Sequence, residues 1–379
     1  MSVDAWGFDV ERQAAARRLR SLRIRLSAIR TAVAAALTLA LILGGARALR
    51  DGILSLPMPS WAAVIFFLVV LFALVTAVDS PFRYIGGYRW ERAFNLSAQR
   101  FGGWLKDLAK SLGLGLGATV AAGYILLWLL AVSPTWWWLA AWTLSLAVSV
   151  VLAFIAPVVL VPLFFRFRPL ADPVLRARFE SLAARAKVPI LGVFELRASE
   201  KTRRSNAAVM GLGRTRRVVV TDTLLGEFRP EEVETVLAHE LAHQKFLDPL
   251  RGFVLGSATS LLTLAVGAWL YSLLYPSFGI RSIGDMAGLP LLAAALGLVS
   301  IPIRPLELSW SRGREARADR YSLELTRDPT SFAAAMVKLH DQNLGVADPG
   351  PWEKWLFYSH PPGRERVEAA RSFHGSSSS

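Results

Sequence analysis

One stretch of the sequence restricts the possible folds more than any other: residues 111–165 contain no charged residue. A transmembrane helix needs about 20 consecutive apolar residues, so this stretch is long enough for two crossings. Near its middle is the sequence SPTWWW, in which Pro134 can end one helix and the three tryptophans suit a membrane–water interface. We therefore predict a membrane protein with two helices here, separated near Pro134.

Four further apolar runs have roughly the length of a membrane span. They are residues 31–46, about 61–78, about 253–275 and roughly 283–303, the last interrupted by Pro290 and Pro302. With 53% hydrophobic residues in the chain, these runs predict about six transmembrane helices. We favour an uncleaved first span over a signal peptide, because the basic segment before it is long and no small-residue cleavage site stands out.

The distribution of basic residues predicts the orientation of these helices. Lysine and arginine are frequent in residues 1–30, at about 79–110, in 166–251 and from Arg304 onward. The opposite loops hold only Arg47, Arg50 and Arg281. Six crossings place every basic segment on one face. Because such segments are retained in the cytosol, we predict that both termini and the soluble parts are cytosolic.

The formal net charge of +14 is compatible with a membrane surface or with a nucleic acid as partner. The arginine-rich stretches flank apolar runs and are not interleaved with exposed aromatic residues, which favours the lipid bilayer and argues against nucleic acid. The chain contains no cysteine, which excludes disulfides, thiolate metal ligands and cysteine nucleophiles. The sequence does not indicate an oligomeric state.

The predicted fold is a predominantly α-helical polytopic membrane protein with a small cytosolic α/β unit. Its parts are a basic N-terminal segment (1–30), four transmembrane helices (31–165) with a cytosolic loop at about 79–110, the cytosolic unit (166–251), two transmembrane helices (252–303) and a cytosolic C-terminal part (304–379). Within the unit, LADPVLRARFESLAARAKV has helical periodicity, VFEL reads as a strand, and NAAVMGLGRTRRVVVTDTLL as two strands around a glycine-rich turn.

The last helix of this unit contains LAHELAHQKFLD, in which His239 and His243 are four residues apart and Glu240 follows the first. Residues four apart share a helix face, so both imidazoles can bind one metal ion while Glu240 lies beside it as a general base. A helix surface that contains HExxH by chance is the alternative. Two facts favour the metal site: the chain has only five histidines, and the motif directly precedes a membrane span.

Catalytic zinc requires a third protein ligand and an open position for water. The HExxHxxGxxH pattern is absent, because Phe246 and Pro249 occupy its glycine and histidine positions. After the sixth span, SRGREARADRYSLEL offers Glu315 as ligand and Asp319, on the same helix face, as acceptor for a ligand histidine's N–H. From the spacing alone, a solvated charged helix explains this segment equally well.

Beyond these motifs, the chain resembles the integral-membrane CAAX prenyl proteases, which carry HExxH followed, after two spans, by a glutamate in an ExxxD segment. The other similar segments are YRWERAFNLSAQRFGGWLKDLAK, SNAAVMGLGRTRRVVVTDTLL, SRGREARAD, VKLHDQNLG and WLFYSHPPGRERV. They occur in the family's order from about residue 75 to 370. The seventh span and the longer insert before HExxH of eukaryotic members are absent, which favours a bacterial-type member in a cytoplasmic membrane.

The resemblance implies a gluzincin-like zinc endopeptidase with one Zn²⁺ per chain. The implied metal ligands are His239, His243 and Glu315, the implied base is Glu240, and Asp319 is implied to orient a ligand. In this reaction zinc lowers the pKa of a bound water to about 7, and Glu240 accepts the water's proton and later protonates the leaving amine.

The resemblance also implies roles around the scissile bond. Asn206 is implied to lie near that bond, where the adjacent strand could pair with an extended substrate. His360 is implied to stabilise the oxyanion and Arg366 to support that site. From the residues alone, Asn206 is equally explained as a turn residue, and HPP as a helix start that leaves Arg366 on a solvated face.

The position of the motif beside a membrane span predicts peptide or protein substrates with an apolar anchor, either a prenyl group or a hydrophobic segment. Two alternative functions remain. A heat-shock-type membrane quality-control metalloprotease shares HExxH but lacks the RWERAFN loop. A polytopic transporter or scaffold with an incidental motif is the other, and the near absence of charged residues in the predicted spans argues against it.

Overall fold

The computed structural model describes residues 2–211 and 213–373 of the chain, without the side chain of Arg214. Within these residues, six helical segments are long and apolar enough to cross a membrane. The segments are Val10–Leu54, Ser60–Ala93, Phe101–Val132, Trp137–Leu163, Asp248–Phe278 and Met286–Thr326. The prediction of a polytopic, predominantly α-helical protein with about six membrane helices is confirmed.

The N-terminal half consists of helices throughout. They are α1 (Val10–Ala40), α2 (Ala46–Leu54), α3 (Ser60–Tyr84), α4 (Trp90–Ala93), α5 (Phe101–Val132) and α6 (Trp137–Ile155). Single π-helical turns at Leu41–Gly45 and Ile85–Arg89 join α1 to α2 and α3 to α4. The break between α5 and α6 contains Pro134, at the position that the sequence predicts.

Two polar segments are more helical than the sequence indicated. The basic residues 1–30 are helical from Val10, and the loop expected at about 79–110 is helical except between α4 and α5. Arginine and lysine are good helix formers, so a helix has no reason to stop where the apolar stretch ends. These extensions pack on the soluble part, where Leu19 and Leu96 are buried in a cluster with Leu344.

The predicted α/β unit is present. Its elements are β1 (Phe167–Pro169), α7 (Pro173–Arg185), β2 (Gly192–Leu196), β3 (Ala207–Met210), β4 (Arg217–Thr221), α8 (Asp222–Glu227) and α9 (Pro230–Lys245). The strand order is β1-β2-β4-β3, in which β2 and β4 are parallel and the other pairs are antiparallel. One long edge of β3 is therefore unpaired within the sheet.

The remaining elements complete the membrane part and cover α9. They are α10 (Asp248–Leu274), α11 (Leu289–Thr326), α12 (Pro329–Asn343), α13 (Pro351–Phe357) and α14 (Gly363–Arg371). The connection from α9 to α10 is very short, with Leu247 in the left-handed conformation at φ 55°. Residues 374–379, the end of the predicted C-terminal part, lie outside the described residues.

The sixth membrane helix differs from the prediction in its length. The sequence placed its end near residue 303, with interruptions at Pro290 and Pro302, but α11 continues through Pro302 and Pro305 to Thr326. Pro290 lies in the first turn, where no N–H donor is needed. Prolines inside membrane helices are tolerated because neighbouring groups satisfy the freed carbonyls. The segment with Glu315 is thus the extension of the sixth span rather than a separate helix.

The membrane helices pack side by side in a ring. Contacts run from α1 to α3, then to α5, α6, α10 and α11, and from α11 back to α1. At one end of this ring, α9 lies against the sheet, α7, α11 and α12. Its residues Leu237, Ala238 and Leu241 are buried in the main hydrophobic core. Because α9 is enclosed by packed elements on most sides, the direction of its polar side chains is fixed.

Candidate metal centre

Two helices bring three potential metal ligands to one point. His239 and His243 extend from α9, and Glu315 extends from the part of α11 that continues beyond its apolar stretch. The Nε2 atoms of the two histidines are 3.2 Å apart. The Glu315 carboxylate lies 3.1 Å from Nε2 of His239 and 3.6 Å from Nε2 of His243. Among the described residues, this is the one group of three or more histidine or acidic side chains with the geometry of a metal site.

These separations match the geometry of a tetrahedral metal site. Metal–ligand bonds of about 2.0–2.1 Å hold the ligand atoms of a tetrahedron about 3.3–3.4 Å apart. The observed separations of 3.1, 3.2 and 3.6 Å lie on either side of that value. The donor set of two imidazoles and one carboxylate is also the set that suits zinc. The residues therefore fit a metal ion without any rearrangement of the backbone.

Each of the two candidate ligand histidines has a carboxylate next to its other ring nitrogen, Nδ1, and each of these carboxylates contacts an arginine. Nδ1 of His239 is 2.8 Å from Asp319, which in turn accepts a hydrogen bond of 2.9 Å from Nε of Arg366. A carboxylate acceptor places the ring hydrogen on Nδ1, so the lone pair of Nε2 is left for the metal.

The second histidine has the same arrangement. Nδ1 of His243 is 2.9 Å from Asp248, the first residue of α10, and Asp248 forms an ion pair with Arg317 of α11. Both candidate ligand rings are therefore fixed in orientation and tautomer by a buried carboxylate.

The electrostatics of this cluster favour a cation. Burial lowers the pKa of His239, but hydrogen bonds with Asp319 and Glu315 outweigh that effect and raise the pKa to about 9. The carboxylates of the cluster also outnumber its arginines by two. The carboxylates are those of Glu240, Asp248, Glu315 and Asp319, and the arginines are Arg317 and Arg366. With neutral imidazoles, a divalent cation balances the charge.

Glu240 lies beside this point and is free to act on a substrate or a water molecule. Burial raises the pKa of the Glu240 carboxyl above its ordinary value. Within the described part of the chain, its carboxylate makes no hydrogen bond or ion pair. Glu240 and His239 line a cavity of about 440 Å³ together with Asn206, His360 and Arg366. The cavity gives a ligand access to the metal centre.

The structure brings His360 to the centre as well. It lies between α13 and α14, is 57% exposed, and its Nε2 is 3.3 Å from Glu315. Nδ1 of His360 is 2.9 Å from Oγ of Ser359. Arg366 is buried and contacts Asp319 rather than solvent. This replaces the solvated-face alternative for Arg366 that its sequence context allowed.

Asn206 lies next to the edge strand β3 and lines the same cavity. Its side-chain oxygen accepts a hydrogen bond of 2.9 Å from the backbone of Ala207, and its backbone N–H donates to Thr221 at 3.0 Å. The residue is thus fixed locally while it faces the cavity. All eight residues singled out in the sequence therefore lie at one place in the molecule.

Sequence reasoning missed two residues of the centre, Asp248 and Arg317. Asp248 was not singled out, because its contact with His243 depends on the sharp turn at Leu247, which the sequence pattern does not reveal. Arg317 lies two residues after Glu315 in the charged segment SRGREARAD, where no single arginine stands out. A carboxylate directly after a ligand-bearing helix was the one available signal.

Comparison with known proteins gives matches along nearly the whole chain. Residues 169–374 match the model of peptidase family M48. Residues 8–166 match the model described as the CAAX prenyl protease N-terminal region with five membrane helices. Four of the six candidate membrane helices of this chain fall within that second range.

Several relatives show the same similarity over most of their length. The uncharacterised metalloprotease YhfN of Bacillus subtilis is 31% identical over 312 residues, which cover 80% of this chain and 72% of YhfN. A CAAX prenyl protease 1 homologue of Oryza sativa is 31% identical over 315 residues, covering 79% and 71% of the two chains. CAAX prenyl protease 1 of Saccharomyces cerevisiae is 28% identical over 322 residues, covering 80% and 71%.

The fold has a counterpart among solved structures. The crystal structure of Ste24p from S. mikatae superimposes with a TM-score of 0.82 at 23% sequence identity, over 96% of this chain and 89% of that one. This similarity identifies the fold, and the family matches identify the class of enzyme, which decides against the transporter or scaffold alternative. The chain belongs to peptidase family M48 and is a membrane-embedded metalloprotease of the CAAX prenyl protease type.

Proposed function

We propose that this chain is a zinc endopeptidase that cleaves peptides with a prenyl or other apolar anchor, at the cytosolic face of a bacterial cytoplasmic membrane. One observation carries the proposal: two Nε2 atoms and the Glu315 carboxylate converge beside a free Glu240 on a cavity. In this proposal His239, His243 and Glu315 bind one Zn²⁺. Imidazole and carboxylate ligands suit zinc better than hard cations such as magnesium.

Glu240 carries the proton transfers of the proposed mechanism. Bound zinc would supply Lewis-acid chemistry, which polarises the scissile carbonyl and acidifies water. Glu240 accepts a proton from the attacking water and returns it to the leaving amine. Burial raises the pKa of the Glu240 carboxyl, so the pKa moves toward neutral pH. This suits a group that must both accept and release a proton.

His360 and Arg366 assist in different ways. With Nδ1 near Ser359, the Nε2 of His360 lies at the metal centre, where it is placed to donate to the oxyanion that develops on the substrate. Oxyanion donors of this kind are worth about 3–4 kcal/mol of barrier. Arg366 acts through Asp319, which orients His239, and is therefore a positioning residue.

The sheet supplies a binding edge for the peptide backbone. Among the described strands, none pairs with one long edge of β3, and α9 packs against β3. An extended substrate that pairs with this edge would place its carbonyl groups near Asn206 and the metal centre. Such pairing recognises the backbone of the substrate peptide and places little restriction on most of its side chains.

The location of the centre explains why the substrate needs an apolar anchor. Asp248 begins one candidate membrane helix, and Glu315 lies near the end of another. The centre is therefore at or close to the membrane surface. Each methylene of a prenyl chain that enters the bilayer adds about 0.8 kcal/mol of membrane affinity. An anchored substrate is thereby concentrated where the site can reach it.

The proposed function is tested by metal analysis combined with a panel of peptides. We expect about one zinc per chain, cleavage of prenylated CAAX peptides, and weaker cleavage of unprenylated hydrophobic peptides. Because the prenyl group serves delivery, its removal should raise KM and leave kcat within about threefold, the pattern of lost uniform binding.

The panel also separates the alternatives. Complete inactivity toward unmodified peptides at saturating concentration would show that the lipid is part of the catalytic fit. Inactivity toward both peptide classes, with zinc bound, would contradict the proposal and favour a quality-control protease that degrades misfolded membrane proteins. Peptide libraries without any lipid provide the comparison between the proposed function and this quality-control alternative.

A further inference from the structure

The cavity beside the metal centre is lined on one side by an arginine of the first membrane helix. Arg20 of α1 lies on this cavity with Glu240 and His360. Its Nε forms an ion pair with Glu353. The guanidinium carbon is 5.0 Å from the ring centre of Phe357 and 5.5 Å from that of Tyr358. These contacts hold the guanidinium group in a fixed position.

Two residues that line this cavity each have a buried polar atom without a hydrogen-bond partner among the described residues. Nη2 of Arg20 is buried and makes no hydrogen bond, and Oγ of Ser205 is also buried without a hydrogen bond. Ser205 is only 2% exposed, and its backbone is fixed by two hydrogen bonds of 3.2 Å with the side chain of Asn343. A buried donor without an acceptor costs about 1–3 kcal/mol, so both atoms favour a ligand that supplies an acceptor.

The charges around Arg20 favour an anionic ligand. Arg20 pairs with Glu353, and Arg23 and Arg204 both pair with Glu91, so the three arginines exceed their carboxylate partners by one positive charge. Among the described residues that line the cavity, the one carboxylate is that of Glu240. An anionic group of a bound substrate would therefore be repelled near Glu240 and attracted near Arg20.

A peptide has only two kinds of carboxylate to offer, its C-terminus and the side chains of Asp and Glu. Arginine binds a carboxylate through two N–H groups in a fixed geometry, and a hydroxyl such as that of Ser205 adds a third donor. We propose that Arg20, assisted by Ser205, binds a carboxylate of the substrate and so selects peptides with a negative charge close to the scissile bond. This inference rests on the proposed peptidase function.

The test uses two pairs of peptides with the same scissile bond. The first pair ends in a free carboxylate or in an amide, and the second pair is amidated and ends in Asp or Asn. The parent enzyme should have about a tenfold or greater preference in kcat/KM for the charged member of at least one pair, mainly through KM. The pair that shows the preference identifies the source of the carboxylate.

Variants test whether Arg20 and Ser205 cause the preference for the charged peptide. In Arg20→Gln the ratio between charged and uncharged peptide should fall to about one, and Arg20→Lys should restore part of it. Ser205→Ala removes an oxygen that has no hydrogen-bond partner in the described part of the chain, so the variant should fold normally and lose a few-fold of the preference. Arg18→Gln is the matched control, since Arg18 is exposed on the same helix, and it should keep the full ratio.

Two results would overturn the inference. One is a parent enzyme that cleaves the charged and uncharged members of both pairs equally well. The other is an Arg20→Gln enzyme that loses activity on all four peptides by the same factor, which is the signature of a structural role. If the parent cleaves none of the peptides although zinc is bound, the proposed function itself fails, which is a distinguishable outcome.

Discussion

Each candidate ligand histidine depends on one carboxylate for its orientation. Asp319 lies 2.8 Å from Nδ1 of His239, and Asp248 lies 2.9 Å from Nδ1 of His243. Loss of such a partner elsewhere weakens metal binding by about 10–100-fold, because the ring becomes free to rotate or to change tautomer. The two carboxylates thus differ from Glu315, whose loss removes a ligand.

This difference is a testable prediction. Glu315→Ala should lose both bound zinc and activity, and Asp248→Asn should keep zinc at low chelator concentration and release it at about 10–100-fold less chelator than the parent. Zinc content after dialysis against a chelator series is the measurement. Glu324→Ala, which changes an exposed acid on the same helix, should behave like the parent.

A different outcome would show that the third metal ligand is a residue other than Glu315. If Glu315→Ala held stoichiometric zinc in a chelator concentration that the parent also withstands, another residue would have to complete the site. If Glu324→Ala lost zinc to the same extent as Glu315→Ala, the effect would reflect damage to α11 and not ligand loss.

The packing of α12 against α14 depends on a glycine. A Cβ atom on Gly363 would lie 2.7 Å from Cδ2 and 2.8 Å from Nε2 of His340. The imidazole is held in place, because its Nδ1 is 2.8 Å from the carbonyl oxygen of Met336, and a Cβ atom on Gly345 would also lie only 3.1 Å from its Cδ2. This close approach explains the glycine of the HPPGRER segment.

We therefore expect Gly363→Ala to destabilise the protein by about 1–3 kcal/mol, the usual cost of overpacking. The measurement is the Tm of the purified protein in detergent. Gly350→Ala is the matched control, because its Cβ would meet no atom within 4 Å, and its Tm should stay close to that of the parent. Equal Tm values for Gly363→Ala and the parent would show that α14 can shift away from His340.

At the level of elements, the sequence predicted what depends on local pattern. Periodicity indicated α7 and the three strands β2, β3 and β4, and the uncharged run with its central proline indicated α5 and α6. The sequence did not predict that α11 runs unbroken past Pro302 and Pro305. Proline ends helices in water, but inside a bundle the neighbouring helices supply the lost interactions, and these neighbours are not visible in a single segment.

The candidate site was predictable to a similar extent. The HExxH spacing and the ExxxD segment pointed to five residues from helical geometry, and the family resemblance added three more. Arg20 escaped notice, because a basic segment before a membrane span is expected in any membrane protein. Its position on the cavity depends on α1 beginning at Val10 and passing over the soluble part, a contact between residues far apart in the chain.

At the scale of the whole molecule, the two ends of the helix ring differ in charge. The short helix α4 and the loop after it pack on the catalytic end, where Glu91 pairs with Arg204 and the backbone N–H of Arg203 donates to the carbonyl oxygen of Leu96. At the opposite end, Arg50 pairs with Asp285 and Arg281 pairs with Asp51. By the positive-inside rule, the segments rich in lysine and arginine at the catalytic end predict that this end is cytosolic.

Cysteine labelling tests this orientation. The chain has no cysteine, so a single introduced thiol is read without background. Ala93→Cys, exposed at the catalytic end, should react with a membrane-impermeant thiol reagent only from the cytosolic side. Ser277→Cys, exposed in the loop between α10 and α11, should react only from outside. The reverse labelling pattern would invert the topology.

The central claim is that a metal ion and Glu240 act together, and the Glu240→Gln variant tests it most directly. Glutamine keeps the shape of glutamate but cannot accept a proton. Because Glu240 is the base and not a ligand, the variant should contain as much zinc as the parent and should not hydrolyse a prenylated CAAX peptide that the parent cleaves. Zinc content and turnover measured on the same purified sample decide the matter. Substantial turnover by the zinc-loaded variant, or loss of its zinc, would contradict the account.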